Sequence, residues 1–202
     1  MTDVIHVREA TDHDAAAIAA IYAYYVSETI VTFEEEVIAD ADMVTRIADV
    51  QGAGLPWIVA ELDDAVVGYA YATKWRARHG YRFSVETTVY VANGLRGRGI
   101  GSALYCALLP MLVDRGYHAA MGGIALPNDA SIVLHEKFGF SQVAHFRETG
   151  MKFDRWIDTG YWEKILRAND DSAPADNHFS TERVTRGVKS VRPRVPDKSD
   201  RY

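Results

Sequence analysis

A glycine-rich segment that joins a strand to a helix is the feature that most restricts the fold of this chain. Residues 83–91 are dense in β-branched side chains and predict a strand. Asn93-Gly94 then predicts a turn. The segment Arg96-Gly97-Arg98-Gly99-Ile100-Gly101 opens a helix that we expect to run to about Arg115. A strand, a short connection and a helix in this order indicate an α/β fold.

The start of this helix has the chemistry of an anion site. The first four N–H groups of a helix lack acceptors within it, and the helix dipole adds positive potential there. Glycines let an anion approach the backbone, and Arg96 and Arg98 add charge, so the segment predicts a pyrophosphate site. It lacks the Gly-Lys-Ser/Thr of a P-loop and the spacing of a dinucleotide fingerprint. An ordinary helix start without a ligand is the alternative.

Hydrophobic periodicity predicts six further strands and three further helices. The strands are expected at residues 4–9, 56–62, 66–75, 118–124, 140–146 and 161–166. The helices are expected around Ile18, Ile21, Tyr22 and Tyr25, at residues 40–50 and at residues 128–138. The strands at 56–62 and 66–75 form a hairpin, whereas a loop separates the last two. The order βααβββαβαββ indicates one α/β domain with a mixed sheet.

Composition restricts the class of protein. The net charge of −6 argues against a general affinity for nucleic acid, and no apolar run approaches the roughly 20 residues of a membrane helix. No basic segment leads into an apolar stretch at the N-terminus, so we expect no secretory signal and a cytoplasmic protein. Cys106 is the only cysteine, which fits a reducing compartment. Its place in an apolar helical run predicts a buried structural thiol.

The C-terminal segment differs in composition from the rest of the chain. Apolar periodicity stops at residue 168, and residues 183–202 carry seven basic side chains against two acidic ones. Such a segment cannot bury enough apolar surface to fold alone. We therefore expect a domain at residues 1–167 and a tail at residues 168–202 that is disordered or draped over a dimer partner, with polyanion binding as the alternative.

Two titratable residues stand in otherwise apolar elements. Glu86 lies inside the β-branched strand, where partial burial would raise its pKa toward that of a useful base. An outward-facing, solvated Glu86 is the alternative. His135 lies on the helix seven residues after Asn128, and a structural histidine is its alternative. Asn128 itself has the chemistry of a helix cap.

A cluster of arginines and aromatic residues precedes the Glu86 strand. The sequence Trp75-Arg76-Ala77-Arg78-His79-Gly80-Tyr81-Arg82 places three arginines between aromatic side chains. Arginine binds carboxylate and phosphinate groups through two parallel hydrogen bonds. The cluster therefore predicts a clamp for an acidic substrate, and a solvated loop is the alternative.

Several motifs together resemble one known family. The strand, Arg-x-x-Gly-x-Gly and helix resemble the acetyl-CoA signature of the GNAT superfamily of N-acetyltransferases, and Asn128-Asp129-Ala130-Ser131 followed by Gly139-Phe140 resembles its second signature. Trp75-Arg76-Ala77-Arg78, Glu86-Thr87-Thr88-Val89-Tyr90-Val91, Leu126-Pro127-Asn128-Asp129 and Leu134-His135-Glu136 are similar to the phosphinothricin and methionine sulfoximine N-acetyltransferase subgroup. The resemblance covers about residues 4–167 and leaves the tail outside.

The resemblance implies a GNAT fold, in which a mixed, mostly antiparallel sheet of about seven strands is flanked by helices. It implies that Glu86 is the general base, and that His135 donates a proton to the leaving thiolate, assists the base or orients the acyl group. The implied cofactor-binding residues are Val89, Tyr90, Val91, Arg96, Gly97, Arg98, Gly99, Ile100, Gly101, Ser102 and Asn128. The implied substrate-binding residues are Phe33, Arg76, Arg78, Tyr81, Thr88 and Tyr105.

The function that the resemblance implies is acetyl-CoA-dependent acetylation of the amine of a small amino acid or analogue, such as phosphinothricin or methionine sulfoximine. Transfer would be direct, without a metal, and would link the chain to herbicide or antibiotic resistance. It also implies a homodimer that binds neither nucleic acid nor membrane. Acetylation of peptide or protein N-termini and non-catalytic binding of acyl-CoA are the alternatives.

Overall fold

The computed structural model of the 202-residue chain describes residues 4–166. The strands are β1 His6–Glu9, β2 Trp57–Leu62, β3 Ala65–Lys74, β4 Ser84–Val91, β5 Ala119–Leu126, β6 Ser141–Lys152 and β7 Arg155–Ile165. The helices are α1 Ala15–Glu28, α2 Asp40–Gly52, α3 Ile100–Asp114 and α4 Asp129–Lys137. Short 3-10 turns span Asp12–Asp14 and His79–Tyr81. The tail predicted at residues 168–202 lies outside the described residues.

One sheet contains all seven strands, in the order β1-β2-β3-β4-β5-β7-β6. Only β4 and β5 run parallel, and the other neighbours pair antiparallel. The parallel pair needs a long crossover connection, which α3 supplies. The predicted α/β fold with a mixed, mostly antiparallel sheet is therefore confirmed.

Helices cover both faces of this sheet. Alternate residues of a strand point to opposite faces. Helix α3 packs on the face that carries Ala70, Val85 and Ala120, and Leu134 of α4 joins the same cluster. Helices α1 and α2 cover the other face, where Trp57 and Tyr90 are buried. The two faces of the sheet therefore carry different pairs of helices.

Helix α1 begins at a charged junction. The backbone N–H of Thr11 donates to Asp14 at 2.8 Å, and both carboxylate oxygens of Asp14 accept from Arg8 at 2.7 Å. The guanidinium of Arg8 lowers the pKa of Asp14 to about 2. Arg8 thereby links the first strand to the start of α1. This helix covers the face of the sheet that carries Tyr90 and, by the alternation of β4, Glu86, and we call it the Glu86 face.

Two expectations from the sequence are wrong. The loop expected between residues 146 and 161 is strand, because β6 and β7 pair as one long hairpin that turns at Phe153 and Asp154. Cys106 is exposed rather than buried. The helical period of α3 turns Tyr105 and Leu109 into the core and leaves Cys106 and Pro110, four residues apart, on the solvent side.

None of the helices within residues 4–166 is long and apolar enough to span a membrane.

Candidate active site

Strands β4 and β5 lie side by side only at their beginnings. Their parallel pairing runs from Ser84 opposite Ala119 to Glu86 opposite Met121, and no further pairing joins them among the described residues. Both strands nevertheless continue, to Val91 and to Leu126. The separation opens a cleft of about 120 Å³ lined by Tyr25, Val31, Val89, Tyr90, Val91, Arg96, Asn128, Ala130, Ser131 and Leu134. The strand residues predicted to offer backbone groups to a cofactor thus line one cleft, together with Arg96 and Asn128.

The glycine-rich segment opens α3 at the end of this cleft. Gly97 and Gly99 have φ values of 79° and 83°, in the left-handed region that favours glycine. A Cβ on either would meet no atom within 4 Å, so the backbone conformation and not crowding requires glycine there. The N–H groups of the first turn, from Ile100 to Ser102, have no acceptors inside the helix. Arg96 and Arg98 lie beside them with exposed side chains.

Helix α4 packs closely against this turn. A Cβ on Gly101 would approach Leu134 at 3.1 Å, so glycine permits the close contact of the two helices. The side chain of Asn128 caps α4 by accepting from the N–H of Ser131 at 3.3 Å. At the other end of α4, the ammonium of Lys137 donates to the hydroxyl of Ser102 at 2.9 Å. The contact places a further positive charge at the start of α3.

Glu86 is partly buried at the point where β4 and β5 separate. Its carboxylate lies above Gly123, where a Cβ would meet Oε1 at 2.8 Å. Burial raises the pKa of Glu86 above its ordinary value, and the positive charge of Arg76 opposes that rise. Tyr161 borders the same space, since its ring lies 3.2 Å from the Cβ position of Gly123. The sequence therefore predicted correctly that Glu86 is not a fully solvated carboxylate.

His135 is buried, with 3% of its surface exposed, and both ring nitrogens have partners. Nδ1 lies 2.7 Å from the carbonyl of Ser131, and Nε2 lies 2.9 Å from the hydroxyl of Tyr105. Because a carbonyl only accepts, Nδ1 carries the proton, and Nε2 of the neutral ring accepts from Tyr105. Burial lowers the pKa of His135, which favours this neutral form, although the bond to Ser131 opposes the shift.

The residues predicted to bind substrate fall into two groups. Arg76 lies over the ring of Trp75 at 5.1 Å, and its charge acts on Glu86. Arg78 precedes the 3-10 turn that carries Tyr81, and both side chains are exposed. Thr88 is half-buried on the same face of β4 as Glu86.

Phe33 and Tyr105 differ from these residues in their surroundings. Phe33 is 40% exposed and packs over Gly150 of β6, where a Cβ would overlap its ring. Tyr105 has no exposed surface, so it does not line an open pocket in this structure and contacts His135 instead.

Two residues around the cleft were missed from the sequence. The hydroxyl of Thr87 lies 3.2 Å from the carbonyl of Met121, just past the last paired residues, and 3.2 Å from the hydroxyl of Tyr105, so its single proton can be donated to either oxygen. Lys152 is buried and donates to the carbonyl oxygens of Tyr25 and Thr32 at 3.3 and 2.8 Å. Lys152 therefore holds the hairpin against the segment that carries Phe33.

Local sequence patterns give little signal for these two positions. Thr87 is an ordinary strand residue until the register with Met121 is known. Lys152 falls in a stretch that the sequence predicts as loop, where a lysine is expected in solvent.

Comparisons with known proteins agree with this geometry. A sequence model described as an acetyltransferase (GNAT) domain matches residues 7–160. The phosphinothricin N-acetyltransferase of Alcaligenes faecalis is 40% identical over 169 residues, which are 83% of this chain and 86% of that protein. The L-methionine sulfoximine/L-methionine sulfone acetyltransferase of Salmonella typhimurium is 33% identical over 168 residues, 83% of this chain and 97% of that protein.

A solved structure agrees as well. The crystal structure of a GNAT superfamily phosphinothricin acetyltransferase from Sinorhizobium meliloti, in complex with acetyl-CoA, has a TM-score of 0.80 to this chain and 33% sequence identity. The comparison covers 88% of this chain and 98% of that one. The Glu86 strand, the glycine-rich segment and the Asn128 helix all lie within the residues that the domain model matches.

Proposed function

The chain belongs to the GNAT family of acetyltransferases, and we propose that it transfers an acetyl group from acetyl-CoA to the amine of a small amino acid or analogue. Phosphinothricin and methionine sulfoximine, which occur in the names of its relatives, represent the proposed acceptors. Each combines an amine with acidic or sulfoximine groups that an arginine clamp can bind.

The observation that carries this proposal is the setting of Glu86. Its carboxylate is partly buried, has a raised pKa and lies where β4 and β5 begin to separate. A general base is most effective when its pKa lies near the working pH. An amine whose ammonium reaches Glu86 would therefore lose its proton next to the cleft.

The cleft and the start of α3 fit acetyl-CoA. The first-turn N–H groups, together with Arg96, Arg98 and Lys137, suit a pyrophosphate. The unpaired edges of β4 and β5 suit the amide-containing pantetheine arm, because they leave backbone donors and acceptors available. Val89 lies on this edge, and its N–H is the proposed donor to the acetyl carbonyl.

The proposed reaction is a direct transfer. Bound acetyl-CoA supplies a thioester that a neutral amine can attack. Glu86 takes one proton from the acceptor ammonium, directly or through water, so the nitrogen lone pair can form the new N–C bond as the C–S bond breaks. A second proton passes from the same nitrogen through water to the leaving CoA thiolate, so the products are the amide and the CoA thiol. Arg76, Arg78 and Tyr81 orient the acceptor by binding its acidic groups. Thr88 lies on the same face of β4 as Glu86, and Phe33, which packs over Gly150, is the proposed further wall of the acceptor site.

We assign His135 an orienting role. Its Nδ1 proton is engaged by Ser131, and its Nε2 accepts from Tyr105. A neutral, fully bonded imidazole is a poor source of a proton for a leaving thiolate. When Thr87 donates its proton to Tyr105, hydrogen bonds run from His135 through Tyr105 to Thr87 and connect α4 to β4, next to the last paired residues.

We also propose a homodimer in the cytoplasm. Strand β6 is an edge strand, and the β6–β7 hairpin exposes large apolar side chains that a second copy would cover. These side chains are Val143, Phe146, Met151, Phe153 and Trp156.

The end of the acetyltransferase domain at residue 167 and the role of the tail at residues 168–202 remain predictions.

The acceptor class is tested by thiol release from acetyl-CoA with free amino acids, phosphinothricin, methionine sulfoximine and short peptides. We expect turnover with the small acceptors and little with peptides, because the charged segment from Arg76 to Arg82 borders the site. Faster turnover with peptides would replace the proposal with N-terminal acetylation. An absence of thiol release with every amine would indicate a non-catalytic acyl-CoA-binding module.

A further inference from the structure

A second pocket lies on the Glu86 face of the sheet, between helix α2 and strands β2 and β3. Its volume is about 270 Å³. Its floor is aromatic and apolar and includes Met43, Trp57 and Tyr69, which are at most 3% exposed, and its wall includes the half-buried Tyr71. Arg46 and Asp49 are exposed lining residues and Thr73 is half-buried, so these three mark its mouth. None of these residues belongs to the acetyl-CoA cleft.

The mouth of this pocket lies one strand away from the proposed base. Thr73 of β3 stands directly opposite Glu86 of β4, and Tyr71 stands opposite Thr88. Directly opposite residues have Cβ atoms about 4.5–5.5 Å apart and point to the same face. The hydroxyl of Thr88 pairs with that of Tyr71, and the charge of Glu86 acts on Tyr71. The pocket and the space around Glu86 are therefore neighbours on one surface.

The pocket has the shape and chemistry to hold a flat apolar group. The rings of Trp57 and Tyr71 stack at 4.2 Å with an interplanar angle of 11°, and Tyr69 lies nearly parallel to both. Because these rings cover one another, a bound aromatic group would meet the exposed part of Tyr71 and the edges of the other rings, a favourable arrangement for aromatic pairs.

The charges at the mouth disfavour an acidic side chain. The guanidinium of Arg46 is already bonded by both oxygens of Glu34, at 2.8 and 3.1 Å. Asp49 adds a negative charge on the same rim. An acidic group that entered here would meet a carboxylate and a cation that is already paired.

We infer that aromatic L-amino acids are acceptors of this enzyme, and that this pocket holds their side chains. The amine, carboxylate and side chain of an amino acid diverge from one carbon. With the amine at Glu86 and the carboxylate at Arg76, the side chain can pass Thr73 into the aromatic pocket. The inference rests on the proposed function and names one acceptor class for it.

The test compares three acceptors: L-phenylalanine, L-alanine and phosphinothricin. Thiol release from acetyl-CoA gives kcat/KM for each with the full-length chain. We expect L-phenylalanine to exceed L-alanine by about tenfold or more, because only the larger side chain fills the pocket. The variant Asp49→Trp adds an indole at the mouth and should lower kcat/KM for L-phenylalanine about tenfold. It should leave L-alanine and phosphinothricin within about twofold, since neither enters the pocket.

One control variant separates the filling of the pocket from other effects. Ala48→Trp adds the same indole at an exposed position of α2 outside the pocket, and it should not reduce activity with L-phenylalanine. The inference is overturned if L-phenylalanine is no better than L-alanine, or if Asp49→Trp leaves it unchanged or lowers all three acceptors equally. Thiol release with phosphinothricin in that case preserves the proposed function, whereas no release with any acceptor refutes both.

Discussion

Glu86 and His135 approach strand β5 from opposite faces of the sheet. A Cβ on Gly123 would meet Oε1 of Glu86 at 2.8 Å, whereas a Cβ on Gly122 would overlap the ring of His135. Neighbouring residues of a strand point to opposite faces, so the two consecutive glycines make room for one side chain each. Glu86 therefore faces the side of the sheet with the proposed acceptor pocket, and His135 faces helix α3. This arrangement favours different roles for the two residues.

Removal of the Arg76 charge should shift the pH profile of the enzyme. kcat/KM should rise with pH as Glu86 loses its proton, and Arg76 lowers the pKa of Glu86 by favouring the carboxylate. In Arg76→Gln the pKa rises, so the acidic limb should move to higher pH. Arg78→Gln serves as the control, because Arg78 is exposed and, within residues 4–166, Arg76 is the charge that acts on the pKa of Glu86. An acidic limb that stays in place in Arg76→Gln would contradict this coupling.

Variants of His135 and Tyr105 should have effects that do not add. Tyr105→Phe removes the donor to Nε2, and His135→Asn removes the acceptor, so either variant breaks the same chain to Thr87. We expect the double variant to lose about as much kcat/KM as the worse single variant. We expect no fall in the rate as the pH rises from 6 to 8. A fall that occurs in the wild type and is absent in His135→Asn would identify a protonated His135 as the general acid.

Gly99→Ala should weaken acetyl-CoA binding through backbone strain. The φ of 83° at Gly99 costs an L-residue about 1–2 kcal/mol, and no atom lies close enough to clash with the new methyl group. A stability loss of that size would appear in thermal unfolding. A distorted helix start would raise the Kd for acetyl-CoA. Gly52→Ala provides the control. Gly52 has no positive φ, and a Cβ there would meet no atom within 4 Å, as at Gly99. Equal effects of the two variants would refute the explanation.

Lys152→Met should destabilise the protein and weaken the attachment of the segment that carries Phe33, a proposed acceptor-binding residue. Its ammonium is buried and satisfies the carbonyls of Tyr25 and Thr32, which Met leaves without this donor. The expected loss is about 1–3 kcal/mol in the free energy of unfolding, measured by urea denaturation. Because Thr32 adjoins Phe33, KM for the acceptor should rise more than KM for acetyl-CoA. A change confined to acetyl-CoA would show that Lys152 acts elsewhere.

The sequence predicted the elements whose signals are local. The strand of Glu86 and the helix after Gly99 follow from β-branched residues and glycines that need no tertiary context. The extended hairpin could not be predicted in this way. Glu148, Gly150 and Lys152 are poor strand formers, and this stretch becomes strand through pairs such as Gly150 opposite Ile157.

The site was predictable to a similar extent. A carboxylate in an apolar strand predicts by itself that Glu86 is partly buried and has a raised pKa. The partners of His135 depend on which face of the sheet each strand residue occupies, and a single sequence does not contain that register. Tyr105 and Thr87 are distant from His135 in the chain and meet it only in the folded protein.

The most direct test of the account is the turnover of Glu86→Gln. The amide has nearly the same shape as the carboxylate but cannot take a proton from the acceptor ammonium. We expect kcat/KM for phosphinothricin, or for the best acceptor found, to fall by about 10²–10⁴ and its acidic limb to disappear, while the Kd for acetyl-CoA stays unchanged. Undiminished turnover at unchanged acetyl-CoA affinity would contradict the assignment of Glu86 as the base.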